Sequence, residues 1–124
     1  MAATDPVYDK QDQYERIREG LLPGESVVAV YDCIGTGTGF VGLTDQRVVL
    51  QDNSFVGKKV ALTSVPYGRV QAVSFVANKS LLGKFASTSE VAILVGGAQH
   101  ECEFRGHDKA RLVHDTILAR MLSS

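Results

Sequence analysis

Residues 42–52, GLTDQRVVLQD, together with GKKVALTSVPYGRVQAVSF at 57–75, constrain the fold more than any other part of the chain. One strand ends in a polar turn at Asp45-Gln46 and a second leaves it. A loop centred on Gly57 leads into a third strand, and Ser64-Val65-Pro66-Tyr67 hands that strand to a fourth. Turns this tight join only antiparallel neighbours, because a parallel pair needs a long crossover. An antiparallel sheet is therefore required.

The same spacing runs along the rest of the chain, predicting strands at about 26–33, 38–44, 47–52, 59–65, 69–76, 89–95 and 98–104. Between the last two, Gly96-Gly97 marks a hairpin whose turn residues both need positive φ. A helix follows from about Asp108 to Leu122, with Ala110, Val113, Ile117, Leu118 and Met121 as its apolar stripe. Ahead of the strands, Thr4-Asp5-Pro6 opens an amphipathic helix with Val7, Tyr14, Ile17 and Leu21 on one stripe. Gly20 and Leu22-Pro23-Gly24 stop it. The pattern predicts a mainly β fold. Seven antiparallel strands form a curved sheet or partly open barrel capped by the C-terminal helix, with the N-terminal helix as an addition. We divide the chain into that helix, 1–20, and one domain, 21–124.

A net charge of −1 excludes a general nucleic-acid binder, which needs a surplus of Lys and Arg to neutralise phosphates. The longest apolar run, Val27 to Tyr31, is far shorter than a membrane span. Two cysteines, Cys33 and Cys102, make no disulfide framework, and the chain does not open on a secretory pattern. We expect a cytoplasmic protein with free thiols.

No constellation carries recognisable chemistry, so no catalytic residue, metal or cofactor is expected. The Gly35-Thr36-Gly37-Thr38-Gly39 stretch continues into a strand rather than a helix, so it lacks the context of a phosphate cradle. His100 and Cys102 alternate onto one side of a strand, with Phe104 next along. Even with Cys33 as a third ligand they fall short of a zinc set, and Phe104 marks a core-facing row. His114 falls in the stripe of the last helix as a packing residue, and His107 is expected in solvent.

These residues resemble a family. A strand ending in Thr44-Asp45-Gln46-Arg47, the strand VVL after it, Gly57-Lys58-Lys59, and a strand ending Ser64 to Tyr67 are similar to the bacterial pleckstrin-homology-like domains. Leu22-Pro23-Gly24-Glu25 resembles the start of such domains. The resemblance implies a seven-stranded barrel closed by the last helix, and a non-enzymatic module, some of whose relatives look like ring-forming assembly units. Relatives that bind phosphoinositides use Lys and Arg on the first two strands. Residues 26–43 contain neither, so that site is not expected here.

Two features point beyond the fold. The strands at 26–33 and 69–76 are apolar on both faces, so something must cover the outer one. The N-terminal helix is one cover. A second copy is the other, with Val28, Val30 and Val73 as the candidate oligomer face. The segment 78–85 carries Lys79, Leu81, Leu82, Lys84 and Phe85, a candidate finger for a partner or an anionic membrane surface. The expected role is a protein-interaction or assembly module that self-associates, with weak membrane contact through 79–85 as the alternative.

Overall fold

The structure, a computed structural model, describes residues 5–34, 38–52, 61–77 and 88–123. Among these residues eight strands and two helices run in the order β1 (Val7–Tyr8), α1 (Gln11–Glu19), β2 (Val27–Asp32), β3 (Thr38–Thr44), β4 (Arg47–Asp52), β5 (Ala61–Pro66), β6 (Ala72–Ala77), β7 (Thr88–Val95), β8 (Ala98–Arg105) and α2 (His107–Ser123). The strands β2 to β8 are the expected antiparallel set. A single 3₁₀ turn, Tyr67–Arg69, delays the start of β6.

The strands divide into two sheets, ordered β1-β2-β3-β4-β5 and β6-β7-β8. At one corner they touch through an isolated bridge between Ile34 and Glu103, with Ile34 N donating to Glu103 O at 2.8 Å. At the other corner β5 and β6 have no ladder between them, so the described strands do not close the barrel. The turn at Tyr67–Arg69 turns the chain out of one sheet before the next begins. Gly96 and Gly97 take φ of 54° and 88°, as the β7–β8 hairpin requires.

The main core lies between the sheets and under α2. Phe104, Val91 and Val113 are among its fully buried members, and Ile117 of α2 is 0% exposed. Leu118 was expected on the same stripe, yet it is 37% exposed. It follows Ile117 by one residue, which turns it about 100° round the helix and away from the sheet.

The N-terminal segment departs from expectation. Val7 and Tyr8 form a short parallel strand against Ala29 and Val30, and the helix starts at Gln11 rather than near Pro6. Asp9 holds that edge: its N–H donates to Val30 O, and its carboxylate accepts from Asp32 N at 3.1 Å. Tyr8 then stacks on Tyr14, with ring centroids 4.5 Å apart. The edge pairing satisfies backbone groups that a longer helix would have used.

α1 lies across the outer face of the first sheet. Its Ile17 packs with Val30, Phe40 and Val49 in a second, smaller core. This contact requires Gly42. A Cβ there would sit 2.6 Å from Ile17 Cδ1, inside any real contact distance.

Candidate functional site

The sequence motifs singled out above meet at one point. Glu25 is buried, its side chain 1% exposed, and Arg47 grips it from β4. Arg47 Nε donates to Glu25 Oε2 at 2.8 Å and Nη2 donates to Oε1 at 2.9 Å, a two-pronged pair. Thr44 Oγ1 donates to Glu25 Oε2 at 2.6 Å, and Leu22 N donates to Oε1 at 2.9 Å. Arg47 reaches further, to Gly20 O at the end of α1 and to Ser64 Oγ on β5. Tyr67 closes the group by donating to Thr44 O at 2.7 Å.

Burial by itself pushes the Glu25 carboxyl up. The hydrogen bonds from Arg47, Leu22 and Thr44, with the guanidinium charge, outweigh it and bring the group down to about 2. Burial pushes the Tyr67 phenol up, so it stays a donor. Every one of these groups has its partner inside the network, which joins the pre-β2 loop, the β3–β4 turn, β5 and the 3₁₀ turn. Its role is structural.

Cys33 and Cys102 are both buried thiols that form no disulfide, and they meet across the corner where the sheets touch. The hydrogen bond with Cys102, and burial after it, push the Cys33 thiol up and keep it protonated. Phe104 beside them is fully buried, so this is the core row that the alternation suggested. Among the described residues no group of three or more His, Cys, Asp or Glu could hold a metal. His107, expected in solvent, is an exposed residue hydrogen-bonded through Nδ1 to Ser89 Oγ. His114 packs edge-on against Phe75, at 6.3 Å between centroids, and bonds Asp115 at 2.9 Å.

The candidate oligomer residues fall in three settings. Val30 is 0% exposed, under Ile17 of α1. A register shift between Val27 and Ala29 turns Val28 inward with Ala29, so Val28 is half-buried against the main core. Val73 faces inward beside Phe75. None of the three offers an open surface. Exposed apolar residues on the described strands include Leu62 of β5 and, on the outer face of β6–β7, Val76 and Leu94, 41% and 36% exposed. Phase along β6 is the signal that finds Val76: it lies on the side opposite Val73 and Phe75. Lys79, Leu81, Leu82, Lys84 and Phe85 lie outside the described residues.

Among the described residues three cavities flank the first sheet, the smallest, about 280 Å³, lying between Asp9, Ile34, Arg105 and Lys109. A second, about 290 Å³, lies between α1 and the β2–β3 end, where α1 brings Lys10 and Arg16 beside Asp32 and Gly39. Within it Lys10 is 3.5 Å from Asp32, Gln13 donates to Asp32 at 2.7 Å while its own Oε1 is buried without a partner, and Arg16 bonds Gln51. The third, about 630 Å³, opens beyond β5 between Thr63, Val65, Arg69, Val95 and His100.

This architecture, two sheets packed on a C-terminal helix with motif ends tied by one buried ion pair, defines a pleckstrin-homology-like module. The family model for the bacterial PH domain matches residues 3–121, and the chain belongs to that family. Among solved structures, the chain is similar to a pleckstrin-homology domain from Shewanella amazonensis, at 23% identity and TM-score 0.66, covering 92% of this chain and 99% of that one. A protein with a pleckstrin-homology domain from Shewanella loihica aligns at 19% identity and TM-score 0.62, over 89% and 91% of the two chains. A PH-domain-containing protein from Exiguobacterium sibiricum aligns at 17% identity and TM-score 0.66, over 94% of this chain and 63% of that one. A search of curated proteins finds no match.

Proposed function

We propose that the chain is a non-enzymatic protein-interaction module that self-associates through the outer face of β6 and β7. The observation that carries this reading is the exposed apolar pair Val76 and Leu94 beside an edge of β6 that no other described strand takes. Val76 and Leu94 share that face with Ala72, Ser74 and Ala92 and with Glu90, the cross-strand neighbour of Val76, while Ile17 of α1 covers Val30, Phe40 and Val49 on the first sheet. The strand itself, AVSFVA, has no charged residue and no proline, the two devices that usually keep a sheet edge from pairing with another chain. No other described strand pairs with the free edge of β6. A second copy paired along this edge, two-fold related, is the self-complementary occupant.

Solution mass by light scattering tests it. The native chain should exceed monomer mass at micromolar concentration, and Val76→Lys or Leu94→Lys should return it to monomer with the melting temperature kept. A native chain that is monomeric at high micromolar concentration overturns the reading.

A further inference from the structure

The geometry points to the slot beside β5 as a docking groove for an extended acidic peptide of a partner protein, added as a strand along β5 with a carboxylate toward Arg69 and His100. This goes beyond self-association and uses different residues. The slot lies at the corner where the two sheets part. One wall is the end of β5, from Thr63 to Pro66, and the other is the β7–β8 hairpin, with Val95, Ala98 and His100. At about 630 Å³ it is the size of a well-formed ligand cleft.

Three observations select the occupant. First, β5 is the terminal strand of its sheet, and no other described strand pairs with the edge away from β4. A peptide laid there gains main-chain hydrogen bonds that depend little on its sequence. Second, the lining includes a guanidinium and an imidazole but no carboxylate. A carboxylate therefore finds donors and no like charge, whereas a lysine meets the like charge of Arg69 and no carboxylate. Third, the walls are held in place without the peptide. Gln71 Oε1 accepts from Gly96 N at 2.9 Å, and Gln71 N donates to Leu94 O at 2.8 Å. These bonds fix the hairpin wall against the start of β6, so the slot is formed before binding.

Two fluorescein-labelled octapeptides on an alternating Val-Thr frame test the assignment. One carries Asp at alternate positions and a free C-terminus, the other Lys at the same positions and an amidated C-terminus. Each is titrated by fluorescence polarisation against the full chain and against Val76→Lys, which separates peptide binding from self-association. The acidic peptide should saturate and bind about tenfold or more tighter than the basic one, the discrimination expected of one charge-assisted contact. Arg69→Gln, at an exposed position, should weaken it about tenfold with the melting temperature unchanged. Backbone amide signals of 63–66 and 95–100 should shift on titration. No saturation by the acidic peptide, equal binding of the two peptides, unchanged affinity in Arg69→Gln, or shifts confined to other residues would each overturn the proposal. Loss of binding in Val76→Lys would place the site on the β6–β7 face instead.

Discussion

Replacing Arg47 with Met probes the network on which three of the recurrent sequence motifs converge. The substitution keeps the length of the stem and removes four hydrogen bonds, two to Glu25, one to Gly20 O and one to Ser64 Oγ. Glu25 keeps only Leu22 N and Thr44 Oγ1, with a side chain 1% exposed. Breaking a buried ion pair from one side costs about 3–5 kcal/mol, because the remaining charge is left without its counter-ion. For 124 residues the unfolding entropy is about 0.26 kcal/mol per kelvin, so the melting temperature should fall by about 12–19 °C.

The pH dependence makes the test sharper. In the native chain the Glu25 carboxyl lies at about 2, below its ordinary 4.5. A group whose folded value is depressed contributes stability that is fully present above its unfolded value and is lost as pH falls through its folded one. The contribution is about 3 kcal/mol above pH 5, declining toward pH 2. In Arg47→Met burial governs the carboxyl, which then protonates more readily, and this contribution disappears. The gap between native and variant stability should therefore be widest at pH 6–7 and shrink toward pH 2. The chain has no tryptophan, so urea denaturation is followed by far-ultraviolet circular dichroism. Glu25→Leu combined with Arg47→Met should recover most of the loss. A gap under about 1 kcal/mol at pH 7, or one that does not change with pH, refutes the assignment of a buried, compensated pair.

Two further substitutions test the packing of the N-terminal helix and the Tyr67 tie. Gly42→Ala should cost about 1–3 kcal/mol by driving a methyl group into Ile17, and the penalty should shrink when Ile17 is also Ala, measured as a double-mutant cycle of denaturation free energies. Equal penalties in both backgrounds would show that α1 does not seat on Gly42. Tyr67→Phe should cost about 1–3 kcal/mol by stranding the buried Thr44 carbonyl, read from thermal unfolding, while a neutral result would mean that the carbonyl finds another donor.

The parts of this fold legible in the sequence are those that local chemistry fixes. Gly96-Gly97 had to be a tight hairpin because both positions need positive φ, and the structure gives both. Thr44-Asp45-Gln46-Arg47 had to be a turn, and the Thr44 hydroxyl accepts from Gln46 N and Arg47 N within it. The N-terminal boundary was not legible. Pro6 is as compatible with a strand edge as with a first helical turn, and the choice is made by Ala29 and Val30, more than twenty residues away. Val28 of the candidate oligomer face lies on the other side of its strand for a related reason. Alternation assigns faces only while the register holds, and one extra residue between Val27 and Ala29 turns Val28 inward.

The buried pair shows where motif reading stops. Leu22-Pro23-Gly24-Glu25 and Thr44 to Arg47 read as turns and Ser64 to Tyr67 as a strand end, and so they are. Nothing local says that the acid of the first will meet the base of the second. That contact exists because antiparallel pairing of β2 with β3, and of β4 with β5, brings one end of all these strands together. A buried carboxylate there is tolerable only with Arg47, Leu22 N and Thr44 as partners. The motifs that mark the family therefore mark its structural clamp. The contact surfaces proposed above lie away from that clamp, on the outer face at Val76 and Leu94 and in the slot beside Arg69 and His100.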